Sequence, residues 1–212
     1  MIALAAERLL RGEVADVPAR ATCALVGALG AAAMGLALGG SSGDARLGLF
    51  AAVKVPMLLA LATGLCLPSF YVVNTVLGLR NDFAAAWHAV LAAQATLGIV
   101  LGALAPVAVF QSLSVHDPYA QTLLDGGLFA SATWAAQLVL ARHYRPLIAR
   151  DPRHRYAVRL WLVLFVFAGI QLAWNLRPFR GTEGFAVQFL RPEAFDQNAY
   201  VVVLEHLTRL LR

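Results

Sequence analysis

Five apolar stretches, at residues 21–40, 47–79, 84–110, 123–141 and 160–174, limit what this chain can fold into more than any other feature. A helix crosses the ~30 Å hydrocarbon core of a bilayer with about 20 mostly apolar residues, and each stretch meets or approaches that length. Hydrophobic residues make up 60% of the 212-residue chain and charged residues only 14%, and the mean hydropathy is +0.69. A soluble domain, about a quarter charged, could not hide this much apolar surface in one core. The reading is an all-α, polytopic membrane helix bundle of about five transmembrane helices in a single membrane domain. Residues 1–20 form an amphipathic N-terminal segment, 21–175 the bundle and 176–212 an extracytoplasmic tail with its own amphipathic helix.

The second stretch, if straight, would run about 50 Å, too long for one upright span. It is expected to cross once, from near 55 to 77, with tilt or a kink at Pro56 or Pro68. Orientation follows from the arginines. With the N-terminus inside, segments 1–20, 80–83 and 142–159 hold Arg8, Arg11, Arg20, Arg80, Arg142, Arg145, Arg150, Arg153, Arg155 and Arg159. The outer loops, 41–54 and 111–122, hold only Arg46 and Lys54. That asymmetry predicts N-in and, with five spans, C-out. Trp87 and Trp161 are expected near the inner boundary and Trp174 near the outer one.

Ile2, Leu4, Leu9 and Leu10 against Glu7, Arg8 and Arg11 give a short amphipathic pattern suited to the membrane surface, closed by Pro18. The charges in these first residues leave no apolar core for a cleavable leader, so the first apolar run is expected to be a retained anchor. Beyond Trp174, Leu176-Arg177-Pro178-Phe179-Arg180-Gly181 reads as a turn leaving the bilayer. After Asp196, a plausible N-cap, Tyr200, Val203, Leu204, Leu207 and Leu211 share one side of a helix.

The net charge of +5 does not mark a nucleic-acid binder, because the arginines flank apolar runs instead of gathering on one folded face. Sixteen arginines to one lysine, with heavy alanine use, suggest a GC-rich bacterial genome and hence a bacterial cytoplasmic (inner) membrane. Cys23 and Cys66 both lie in apolar segments and read as small buried hydrophobes.

Small residues four apart let membrane helices approach closely. The first span carries Gly27, Ala31, Gly35 and Gly39 at that spacing, the third Gly98 and Gly102 with Gln94 one turn earlier, and the fourth a weaker Gly127 and Ser131. These helix-packing residues serve either the protein's own bundle, the favoured reading, or an oligomer.

Ionisable groups in a span default to function with a named partner. Lys54, at the outer edge of the second span, and Asp125, near the outer end of the fourth, can pair. The alternative, favoured by their position near the boundary, is that Lys54 snorkels to headgroups and Asp125 sits in a wet outer loop. His88 can hydrogen-bond Asn74 across helices, and Gln137, Gln171 and Asn175 can satisfy one another inside the bundle. The basic stretch 142–159, with Tyr144 and Tyr156, is expected as an inner loop that fixes topology, or one that holds anionic lipid heads or a cytoplasmic partner.

No cofactor or metal site is expected. His116, His143, His154 and His206 are placed in loops or tail, where they cannot face each other across a haem. HExxH, GxSxG, GxxxxGK[ST] and paired CxxC motifs are missing, and His116-Asp117 has no companion nucleophile or third ligand.

The segments Lys54-Val55-Pro56-Met57-Leu58, Pro68-Ser69-Phe70-Tyr71-Val72-Val73-Asn74 and Leu176-Arg177-Pro178-Phe179-Arg180-Gly181 resemble those of a group of bacterial multi-pass membrane proteins similar in outline to Yip1-domain proteins. The resemblance implies five spans, a cytoplasmic N-terminus, a C-terminus on the far side and a non-enzymatic role. It brings no catalytic residues. The expected function is a non-catalytic membrane subunit that scaffolds or anchors a larger assembly through the Gly-rich first span and the tail. Its expected partners are the lipid bilayer and other membrane subunits or further copies of itself. The alternative is a small oligomeric channel or transporter component with Lys54, Asp125, Asn74 and His88 along an aqueous path.

Overall fold

A computed structural model describes residues 17–41, 43–115, 117–177, 179–181, 188–190, 199 and 201. The described chain is all-helical, with five helices long and apolar enough to cross a membrane. They are α1 (Val17–Gly40), α2 (Ala45–Val76), α3 (Phe83–Ser114), α4 (Pro118–Arg150) and α5 (His154–Asn175). Of the expected amphipathic segment 1–20 only residues 17–20 are described, as the start of α1, and of the helix expected after Asp196 only Ala199 and Val201, both helical; the rest of each lies outside the described residues.

The helices are longer and the loops shorter than hydropathy suggests, because charged residues near the ends continue the helices instead of leaving them. The expected outer loop 41–54 shrinks to the few residues before α2, which Asp44 caps by accepting from the Arg46 amide at 2.8 Å. Asp117 likewise takes part in a helix start, while His116 lies outside the described residues. Asp117 caps α4, accepting from the Ala120 amide at 2.7 Å, with Pro118 in the first turn where its missing N–H is no loss. The basic stretch 142–159 is the end of α4 and the start of α5, joined by only Asp151, Pro152 and Arg153. His143 and His154 therefore sit on helices, not in a loop.

Helix α2 is continuous through Pro56 and Pro68 over 32 residues, a single span as expected but beginning ten residues earlier than 55. It stops at Gly78, whose φ of +77° suits the left-handed position a glycine fills without steric cost. Leu79 N–H donates to the Asn74 carbonyl at 2.7 Å and Gly78 N–H to that of Thr75 at 3.0 Å. These bonds satisfy carbonyls that the helix end would leave open. A short 3-10 turn, Arg80–Asp82, then reverses the chain into α3.

Around the bundle the helices run α1, α3, α4, α5, α2, with α1 standing between α2 and α3. Glycines set that position. A methyl on Gly27 would come within 2.7 Å of the Ala95 carbonyl oxygen, and one on Gly39 within 2.6 Å of that of Leu47. One on Gly35 would collide with the Ala51 carbonyl and one on Gly98 with that of Gly27, while one on Gly102 would come within 2.7 Å of Gly30 Cα. Ala31 is wholly buried in the same seam. The glycine stripes of α1 and α3 are thus spent on backbone contact inside the bundle.

On the other side of the ring, Phe70 of α2 meets Trp161 of α5 at 5.1 Å between centroids, and Trp161 stacks on Phe165 at 5.8 Å. Trp161 is completely buried, so it is a core residue and not the boundary anchor expected of it. Helices α4 and α5, although joined by three residues, share the thinnest interface of the ring, with the Tyr144 ring against His154 at the joined end.

Candidate functional site

Up-and-down topology brings the end of α1, the start of α2, the end of α3, the start of α4 and the end of α5 to one end of the bundle. There the chain after α5 folds back over it. Arg180 makes a forked pair with Asp125: Nε donates to Oδ2 at 2.5 Å and Nη2 to Oδ1 at 2.7 Å. Gln111 Nε2, from the last turn of α3, donates to the same Oδ1 at 2.5 Å. Arg180 Nη1 reaches Ser41 Oγ at 3.2 Å and also Ser112 Oγ. The side chains of Arg180 and Asp125 are only 15% and 18% exposed, so the pair is shielded from water and from salt. One guanidinium thereby ties α1, α3 and α4 to the segment beyond α5.

Beside it, Lys54 is fully buried on α2. Its Nζ lies 5.8 Å from the Phe179 ring centroid and 5.1 Å from that of Phe189, and Phe189 meets Phe50 edge-on at 5.5 Å. Aromatic faces attract a cation most where water is excluded. Ala199, also buried, donates its amide to Gln171 Oε1 at 3.3 Å.

These contacts correct the expectations for the two charges. Lys54 does not snorkel to headgroups, because two phenylalanines from the far end of the sequence cover it. Asp125 does not sit in a wet loop but two turns inside α4, and its ion-pair partner is Arg180, not Lys54. Sequence reasoning missed Arg180 because it follows the last apolar run. The signal that was present is Arg180 itself, a charge close behind the last span in a stretch expected to leave the bilayer; Phe179 and Arg180 instead lie against the bundle.

At the opposite end, Asp82 faces His154 Nε2 at 3.2 Å and Arg150 at 3.5 Å, with His154 fully buried. In the α4–α5 loop Arg153 Nη2 meets Asp151 at 2.7 Å. That side-chain hydrogen bond, with a second from the Arg153 backbone, holds the Asp151 carboxyl down at about 2. Asn74 donates to the Phe70 carbonyl of its own helix at 2.7 Å, while His88 is exposed, so the two do not meet. Gln171 donates to Asn175 one turn along α5 at 3.2 Å, and among the described residues Gln137 joins neither.

Among the described residues no three His, Cys, Asp or Glu side chains come together as a metal would require, and Cys23 and Cys66 are buried and not joined in a disulfide. Arg180, Asp125, Gln111, Ser41 and Ser112 are joined by hydrogen bonds that fasten the segment beyond α5 to the bundle. No protein-family model, curated protein or solved structure matches the chain.

Proposed function

We propose that this protein is a non-catalytic multi-pass membrane subunit that anchors or scaffolds a larger assembly, and that it meets its partner through α4. The observation that carries this is an outward stripe of Gly127, Ser131, Trp134 and Leu138. At about 100° per residue these fall within about 60° of one another on the helix. All four are exposed, Trp134 71% so, and a methyl on Gly127 would meet nothing. The glycines of α1 and α3 already lie against neighbouring backbones, whereas this small-residue pair and its flanking tryptophan are uncovered. Helix α4 is also the least apolar of the five spans, with a hydropathy of 1.3 against 1.8 to 2.0 for the others. A helix that poor in apolar surface gains by facing protein instead of lipid.

This moves the assembly surface from α1, where the sequence reading put it, to α4. The channel alternative draws no support from the placement of its residues. Lys54 and Asp125 lie at one end of the bundle, Asn74 near the other, and His88 on the outside. The setting we propose is a bacterial inner membrane, N-terminus in the cytoplasm and C-terminal tail outside, as the arginine distribution favours.

The test is mild-detergent extraction of tagged protein from its native membrane, with particle size and subunit content measured by native mass spectrometry. A complex is expected that Gly127→Leu with Ser131→Leu dissolves while the chain stays folded. Gly35→Leu, by contrast, should prevent folding itself through the Ala51 carbonyl. A particle unaffected by the α4 double variant would remove this surface.

A further inference from the structure

The outward face of α5 differs from that of α4. Leu162, Val163, Val166, Phe167 and Ile170 line an open apolar groove of about 410 Å³. Arg155 and Arg159 lie on the same face, toward the start of the helix. At about 100° per residue both arginines and all five groove residues fall within an arc of about 140°. Both arginines are exposed, and neither has a carboxylate within ion-pair distance among the described residues. Arg150 and Arg153, at the tip of the same hairpin, are matched by Asp82 and Asp151. Positive charge is therefore left uncompensated where the groove ends.

Depth in the bilayer agrees with this pattern. From Leu160 to Asn175 the helix rises about 24 Å, less than the ~30 Å hydrocarbon core. Arg159 thus lies where its stem runs along apolar surface and its guanidinium reaches phosphate level. Tyr156, 63% exposed on the edge of the strip, is a residue type enriched at that level.

We propose that this strip is a binding site for an anionic phospholipid of the bilayer, its phosphate held by Arg155 and Arg159 and one acyl chain laid along the groove. A neutral lipid would gain the groove but less from the cations. A free phosphate ester would gain the cations but nothing from the groove. Guanidinium forks match phosphate oxygens, and apolar walls match a chain, so the full strip fits a molecule carrying both. The site is on a different helix from the assembly stripe, so either can fail while the other stands.

The test uses the full chain in detergent, exchanged with equal amounts of phosphatidylglycerol and phosphatidylcholine, with retained lipid read by native mass spectrometry. Phosphatidylglycerol should be retained about tenfold over phosphatidylcholine, each arginine near the phosphate contributing several-fold. R155Q with R159Q should erase the preference, and R155K with R159K should restore part of it. R80Q with R145Q, which removes two charges from the same end of the bundle, should leave it intact. Val163→Trp, which fills the groove, should lower retention with no charge lost. Equal loss in the Arg80/Arg145 control, or unchanged retention in the Arg155/Arg159 variant, overturns the site. Displacement of the lipid by an equal concentration of glycerol phosphate would place recognition on charge alone and overturn the role of the groove.

Discussion

Arg180 and Asp125 are 55 positions apart, yet they form the best-satisfied polar contact of the described chain. A carboxylate this far inside a helical bundle would be costly if left alone; Arg180 and Gln111 donate to it, and Ser41 and Ser112 in turn hold the guanidinium. Removing the arginine leaves Asp125 buried with Gln111 as its remaining donor. Arg180→Ala is therefore expected to cost about 2–4 kcal/mol, somewhat below the range for fully buried pairs because both side chains keep some contact with solvent. Asp125→Asn should cost less, and the double variant less than the sum. Reversible unfolding in mixed micelles, arranged as a double-mutant cycle, would measure that coupling. Additive losses would show that the pair is incidental to stability. From sequence Asp125 reads as a residue of a wet outer loop, with Lys54 as its other possible partner, because Arg180 lies beyond the last apolar run and only the fold brings it back.

At the scale of elements, apolar runs locate a helix but not its ends. The ends follow from capping groups: Asp44 and Asp117 start α2 and α4, and Gly78 stops α2. Hydropathy cannot see these, since an Asp or Gly lowers the running average and reads as loop. Gly78 is a position where the residue type is fixed by the backbone. Gly78→Ala must place a side chain at φ +77°, and its methyl would lie 3.2 Å from the Arg153 guanidinium across the turn. A loss of about 1–2 kcal/mol is expected from the left-handed conformation alone. Hydrogen exchange at the Leu79 and Gly78 amides would report it as faster opening of the α2 terminus, and unchanged protection there would contradict this account of the stop signal.

Across the whole molecule, five antiparallel helices place the two polar clusters at opposite ends, and the arginines gather at the end opposite Arg180. If that end is cytoplasmic, a cysteine at position 153, in a chain whose Cys23 and Cys66 are replaced by alanine, is expected to react with an impermeant maleimide only after the membrane is opened. One at exposed position 181 is expected to react in intact cells. The reverse pattern would invert the topology.

Composition and the lengths of the apolar runs determined on their own that this chain makes five membrane helices, because a continuous apolar run of about 20 residues satisfies its backbone in hydrocarbon as a helix, whereas barrel strands are about half as long and alternate apolar with polar. The spacing of Gly27, Gly35, Gly39, Gly98 and Gly102 also marked in advance the seams where backbones touch. Which helix each seam meets was decided only by the tertiary structure. So were the burial of Lys54 under Phe179 and Phe189, the choice of Arg180 for Asp125, and the outward faces of α4 and α5. Periodicity along one helix fixes which residues share a face. What that face meets depends on how the other helices are arranged around it, and that is a property of the packed bundle.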